Sequence, residues 1–362
     1  SKLQTAEGLD LRGIQGREHD LAVVLSGVIL AVLSNRDGNL SSIWRHMKNN
    51  YTQLLQHLPL DSYDCGAVSR SHLPIILSKV SRKVFDRLIF AEYGVKLSKK
   101  QRKWFAIDSK ELKGSIKKGE KRGEAVVQAV EHETQAVQGQ NYYAGNKESE
   151  IEKSRELAEE NGLLGEKLSF DALHCNPKTL GMVAAEGIYV VGLKGNQEKL
   201  QAAVSEEIAR VKPIYEIETE EKQSGRVEVR KYEVYDIQEM SKEIRWEKSQ
   251  IKRAIRVVRE TTQVEGGKKT REESLYLSNE TAKAEELCRA IRRHWQVEVN
   301  NNLRDTTLAE DQLCVKEPTV NRVMAGVRTL VLELLRLTGC ANKKEQMDDF
   351  ADNLSVSNEL CK

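Results

Sequence analysis

Apolar and polar positions fall into three textures along this chain. Up to residue 98 the spacing is helical. The nearly continuous apolar run Leu21–Leu33 is about seven residues short of a membrane span, and it predicts a buried helix capped by Asp20. Ser41 to Leu58 predicts a second helix, and Pro59 and Asp61–Gly66 predict loops. Leu77, Val80, Val84, Phe85 and Leu88 predict a third helical stretch after a turn at Pro74. The helices around Ser69–Pro74 suit either a small DNA-reading module or a helical cap on the next domain.

From 99 to 213 short apolar runs alternate with amphipathic stretches. Trp104–Ile107 predicts a strand ending on Asp108, residues 125–131 and 136–143 two more, and Lys167–Phe170 a strand ending on Asp171. Ile188–Leu193 predicts a fifth strand, with helices at 148–161, 177–186 and 197–211. The order β-β-β-α-β-α-β-α is α/β, and its helical crossovers demand parallel pairing of the later strands. Residues 214–279 read as extended segments at Ile214–Glu218, Val227–Ile237, Ile251–Thr262 and Leu275–Leu277, a β-rich insertion. Helix returns over 280–338, first past Glu298, then as a stripe of Val320, Val323, Met324, Val327, Leu330, Val331, Leu334 and Leu335 that marks core. The tail 339–362 is expected to be loosely held.

Composition narrows the class. A chain of 362 residues accommodates two or three structural units, and 31% charged with 5% aromatic residues suits a helix-rich protein with solvated faces. Six cysteines without a CxxC pair fit neither a disulfide framework nor a zinc site, and suit a reducing compartment. No signal-like opening and no membrane-length run are visible, so a cytoplasmic protein with no membrane partner is expected.

The net charge of +2 hides an uneven distribution. Between Lys99 and Arg122 ten basic residues face three acidic ones, and Asp108 lies among them. Residues 245–259 add six basic residues against Glu247, and Arg289, Arg292 and Arg293 precede Glu298. Basic runs are usually solvated faces, but several flanking one set of carboxylates suit a polyanion.

Two strand-end aspartates are the first candidate chemistry. Such residues often only cap a turn. If their strands are neighbours, however, Asp108 and Asp171 sit side by side and repel unless a cation lies between them. Hard oxygen ligands of that kind suit Mg²⁺ or Mn²⁺. At helical spacing His294, Glu298, Asn301 or Asn302, and Asp305 share a face, which makes Glu298 the natural third ligand. His294 and Asp305 are then expected to orient Glu298.

Several segments together resemble a known family. They are Asp10–His19 (DLRGIQGREH), Ile107–Gly114 (IDSKELKG), Phe170–Cys175 (FDALHC), Val190–Gln197 (VVGLKGNQ), Gly225–Arg230 (GRVEVR), Arg292–Glu298 (RRHWQVE) and Arg304–Asp311 (RDTTLAED). In this order they resemble the H-repeat-associated family of insertion-sequence transposases, within the DDE superfamily, over about residues 10–337. Ser109 stands where the family usually has glycine, Val299 where asparagine is common, and Asn302 where histidine is frequent.

The resemblance implies an RNase H-like core with a β-rich insertion, flanked by helical N- and C-terminal regions. The implied units are a helical region 1–98, core 99–213, insertion 214–279, core again at 280–338, and tail 339–362. It implies Asp108, Asp171 and Glu298 as catalytic carboxylates holding two Mg²⁺ or Mn²⁺ ions. The implied activity is metal-dependent strand cleavage and strand transfer on double-stranded DNA, at transposon ends and target. A homodimer or larger assembly on DNA, at the nucleoid of a bacterium, is implied too. Lys110, Lys113, Lys194, Arg292 and Arg293 are candidate phosphate contacts. His174 is a candidate for orienting Asp171 or touching the scissile phosphate, or a structural histidine. Asn196 either caps the following helix or reaches a base. The rival readings are a retired transposase acting as a DNA-binding regulator and a metal-dependent nuclease without strand transfer.

Overall fold

In the computed structural model, which describes residues 2–36, 38–58, 65–98, 100–145, 147–223, 225–237 and 245–353, every strand joins one nine-stranded sheet. The strands are β1 (Trp104–Glu111), β2 (Glu124–Glu131), β3 (Val137–Ala144), β4 (Lys167–Phe170) and β5 (Ile188–Leu193). They continue as β6 (Tyr215–Gln223), β7 (Arg226–Asp236), β8 (Arg253–Gln263) and β9 (Lys269–Ser278). The spatial order is β3-β2-β1-β4-β5-β9-β8-β7-β6. β1, β4 and β5 are parallel, with antiparallel strands on both sides. This is the mixed sheet of an RNase H-like fold. The β-rich segment is a direct extension of that sheet, because β9 pairs with β5 over Val190–Leu193.

Helices cover both faces. Before the sheet come α1 (Lys2–Thr5), α2 (Leu21–Leu33), α3 (Leu40–Asn49), α4 (Tyr51–His57), α5 (His72–Leu77) and α6 (Arg82–Tyr93). Within and after it come α7 (Lys147–Glu160), α8 (Pro177–Ala184), α9 (Glu198–Arg210), α10 (Ala284–Thr306), α11 (Pro318–Leu337) and α12 (Lys343–Asp352). Asp20 caps α2, accepting from Ala22 N at 2.6 Å, and only Ser26 of that helix escapes full burial. The predicted helix Ser41–Leu58 is two helices, α3 capped by Asn39 and α4 beginning after Asn50. The loop expected at Pro59 and Asp61–Gly66 lies mostly outside the described residues.

Period-two alternation sorts the sheet's side chains. Phe105 and Ile107 join Leu157, Leu180 and Leu200 on the face covered by α7, α8 and α9. Ala106 and Val130 meet Val297 of α10 on the other face. Asp108 and Lys110, even-numbered like Ala106, therefore face α10. The N-terminal helices share one apolar core with α11, where Val323, Val327 and Val331 are fully buried.

Two expectations change. β1 does not stop at Asp108: β2 pairs with it through Glu111, satisfying its backbone beyond the aspartate, whereas the parallel pairing with β4 stops at Ile107. The tail is not loose throughout, because Met347 and Phe350 of α12 are buried in the core that contains α2. Residues 354–362 lie outside the described residues.

Candidate active site

The register Ile107↔Phe170 sets Asp108 beside Asp171, where the parallel pairing of β1 and β4 ends. Asp108 is half-buried; Asp171 keeps 48% of its side chain exposed and caps the turn 172–174 by accepting from Leu173 N at 3.0 Å. The capping role and a ligand role use different lone pairs, so they coexist. Above them α10 crosses β1, β4 and β5. It carries exposed Glu298 and, one turn on, Asn301, whose Nδ2 donates to Asp108 Oδ2 at 3.5 Å.

Burial pushes the Asp108 carboxyl up to about 7, and the nearby charges of Asp171, Glu150 and Glu298 push the same way against a backbone N–H from Ser109. Burial also raises Glu298, opposed by Arg259 and Lys194. Among the described residues no lysine or arginine forms an ion pair with Asp108, Glu150, Asp171 or Glu298; His174 Nε2 stands 4.0 Å from Glu150 and 3.9 Å from Asp171. Four carboxylates crowd one strand end without a paired cation. That donor set, all oxygen and excess negative, fits a hard divalent ion. The oxygens of Asp108, Asp171 and Glu298 do not all come within 4.8 Å of one another here.

Glu150 escaped the sequence reading. It lies on α7, accepts from the Tyr143 hydroxyl at 3.0 Å, and stands 4.0 Å from His174 Nε2. Tyr143 also reaches Ser109 Oγ at 3.0 Å, which bridges β3 to the residue after Asp108. In the sequence Glu150 is one acid among many on a charged helix, and only tertiary packing singles it out. His174 is fully buried, 3.9 Å from Asp171 Oδ1, and neither ring nitrogen has a hydrogen-bond partner among the described residues. Burial holds its imidazole below the usual range.

The basic candidates divide. Lys110 is buried against Asp305 at 2.7 Å, Asp311 at 3.1 Å and Glu310 at 3.4 Å, so it is a core cation and not a phosphate contact. Arg292 forks onto Glu221 at 2.9 and 2.7 Å, and Arg293 pairs with Glu133, both in partly exposed ion pairs. Lys113 is exposed and pairs with Asp311 at 3.0 Å, whereas exposed Lys194 follows the end of β5 beside the carboxylates. Asn196 donates to Ala172 O at 2.7 Å and ties the β5 loop to the turn after Asp171. His294 contacts Ser169 Oγ at 2.9 Å and Asp305 pairs with Lys110, so neither orients Glu298 as expected.

One exposed basic group with no ion pair among the described residues was visible in the sequence only as density. Lys117, Lys118, Lys121 and Arg122 are exposed on the β1–β2 connection, which leaves β1 from the Asp108 end. Its root is clamped at Gly114, where a Cβ would lie 2.2 Å from Leu313 O; no larger residue fits. Lys316 Nζ donates to Gly114 O at 2.8 Å and closes the clamp.

A mixed RNase H-like sheet with carboxylates gathered where its parallel strands end is the arrangement of a transposase DDE domain. The family model described as "Transposase DDE domain" matches residues 99–334, and the chain belongs to that family. It is a transposase of the bacterial insertion-sequence type. The chain is 25% identical, over 337 residues, to a protein of Escherichia coli O157:H7 named "Putative transposase YncI". The match covers 89% of this chain and 84% of that protein. No described helix is long and apolar enough to cross a membrane.

Proposed function

We propose that this transposase cleaves DNA at the ends of an insertion sequence and joins the freed 3′ ends to a target, with Asp108, Asp171 and Glu298 holding the divalent metal. The observation that carries this reading is the carboxylate group with no lysine or arginine partner among the described residues, set beneath α10 where the parallel pairing of β1 and β4 ends. Bound Mg²⁺ or Mn²⁺ would activate the attacking water or 3′-hydroxyl and stabilise the leaving oxygen. Asp108 and Asp171 are fixed by strand register and supply a rigid pair of ligands. Glu298 comes from a separate element, so the position of α10 sets how tightly the site closes. His174 backs Asp171 from the core, and Glu150, anchored by Tyr143, sets the charge around Asp108.

The DNA path runs over the basic β1–β2 connection and Lys194, which contact phosphates without reading sequence. Joining two transposon ends requires both to be held together, which calls for at least two copies of the chain on DNA. The helical units before and after the sheet act as a cap that positions the ends, at the chromosome in the cytoplasm.

The test uses a duplex containing the inverted repeats that flank the gene, with Mg²⁺ and a supercoiled target. Nicked ends and joined products are expected from the wild type and neither from Asp108→Asn. Equal cleavage by that variant overturns the site. Cleavage that never yields joined products reduces the activity to that of a nuclease.

A further inference from the structure

The N-terminal helices hold a second set of donors, chemically unlike the carboxylates on the sheet. A carboxylate oxygen of Glu18, a ring nitrogen of His19 and Sγ of Cys65 lie within 4.8 Å of one another, the one such His, Cys, Asp or Glu trio among the described residues. Cys65 Sγ is 3.2 Å from His19 Nδ1, across 46 residues of sequence.

Both limbs of this cluster are held by bonds that do not involve it. On the histidine side, His19 O accepts from Arg12 Nη2 at 2.7 Å, and Asp20 caps α2 immediately afterwards. On the cysteine side, the Tyr51 hydroxyl donates to Cys65 O at 2.6 Å, and Trp44 Nε1 donates to Val68 O at 2.9 Å. The donors are therefore placed before any ligand arrives. His19 is buried and Glu18 exposed, so the cluster opens to solvent on one side.

We propose that Glu18, His19 and Cys65 form a zinc site, with a water molecule in the fourth position. Thiolate and imidazole select zinc over magnesium, and three protein ligands with one open position are an established zinc arrangement. Charge agrees: a thiolate and a carboxylate neutralise a divalent ion while the imidazole stays neutral. The charged and titratable neighbours are Arg12, already bonded to Asp10 at 2.8 Å, and His72, whose ring stands edge-on to His19 at 5.8 Å. Burial keeps His19 below its usual range and so in its ligating form. The ion would clip the segment before α2 to the segment after α4, closing the helical unit on itself. No CxxC pair announces it, because the ligands meet only when α2, α3 and α4 pack.

The test uses the full untagged chain. About one zinc per chain should survive dialysis, and Co²⁺ in its place should give a thiolate-to-metal charge-transfer band. That band should persist in Asp108→Asn and vanish in Cys65→Ser. Zinc added to the stripped protein should raise Tm by about 3 °C or more and leave Cys65→Ser unmoved. Should Cys65→Ser fail to fold, the exposed Glu18→Gln variant serves, and its zinc affinity should drop by at least about tenfold. A band surviving in Cys65→Ser, an unchanged affinity in Glu18→Gln, or no retained zinc overturns the proposal.

Discussion

Asp108 and Lys110 lie two residues apart on one face of β1, and α10 answers them in opposite ways. Around Lys110 the charges balance: Lys110, Lys113 and Arg304 meet Asp305, Glu310 and Asp311, with Arg304 and Glu310 joined at 2.6 Å and both buried. Around Asp108 they do not balance, and Asp171, Glu150 and Glu298 only add negative charge. Buried charge is tolerated when paired and costly when it is not. The balanced cluster therefore belongs to the fold, and the unbalanced one is the place to seek a ligand. Its excess is what a divalent ion removes.

The sharpest break in this contrast is catalytic. Asp108→Asn, Asp171→Asn and Glu298→Gln should each cut DNA cleavage at least about a thousandfold, a barrier increase of about 4 kcal/mol, while circular dichroism remains that of the wild type. Glu228, the glutamate of the family-like segment Gly225–Arg230 and the rival third carboxylate, is held by Arg226 at 2.7 Å and by Arg230, and its change to Gln should cost less than about tenfold in cleavage. The reverse order of severity moves the third ligand to Glu228. Glu150→Gln, one shell outward, should lose about 10- to 100-fold.

The balanced cluster should fail the other way. Arg304→Met takes from buried Glu310 its forked partner and leaves it only Lys110 at 3.4 Å, so urea denaturation should report a loss of about 3–5 kcal/mol. An Arg304→Met protein as stable as wild type would show that its charges are not coupled to folding.

DNA binding separates the exposed cations from the buried ones. Replacing Lys117, Lys118, Lys121 and Arg122 by glutamine should flatten the salt dependence of affinity by about 0.9 for each phosphate that is no longer neutralised. Lys110→Met should destabilise the fold and leave that slope alone. An unchanged slope in the quadruple variant relocates the DNA path to residues 245–259.

The smallest effect is in pH dependence. Because the folded Asp108 carboxyl sits near 7 instead of 3.8, the metal-free protein loses this group's contribution to stability as pH rises through 7. Metal-free Asp108→Asn should therefore melt above wild type at about pH 8, and the gap should close near pH 4. Mg²⁺ should bind more tightly as the proton leaves, by up to about tenfold per pH unit below 7. A pH-independent Mg²⁺ affinity would show that Asp108 is already ionised or not a ligand.

Local signals carried far in this sequence. β5 begins and ends where its apolar run does, because a central parallel strand is buried on both faces and its length reads as hydrophobic, and β4 keeps the expected bounds Lys167–Phe170. α2, α11, β7 and β8 were legible because burial patterns their side chains, whereas β9 was read only at Leu275–Leu277, since its exposed first half carries no apolar signal. That Asp108 and Asp171 are neighbours stayed conditional on the strand order, which only the pairing of β1 with β4 decided. β1 misled, since its polar second half, Asp108–Glu111, is held by β2 and not by an apolar pattern.

What residue order determined, then, is where the chain turns apolar, which elements follow, and which carboxylates close the apolar runs. Tertiary structure alone decided which charges are spent. Lys110, Arg292 and Arg293 looked like phosphate contacts, yet their partners Asp311, Glu221 and Glu133 come from elements far away in sequence. Glu150 and the Glu18–His19–Cys65 cluster were invisible for the converse reason, having no local pattern until packing brought them to their partners. Hydrophobic burial acts along each element and is written in its period. Electrostatic pairing acts across space, over a few ångströms, between residues that the sequence leaves far apart.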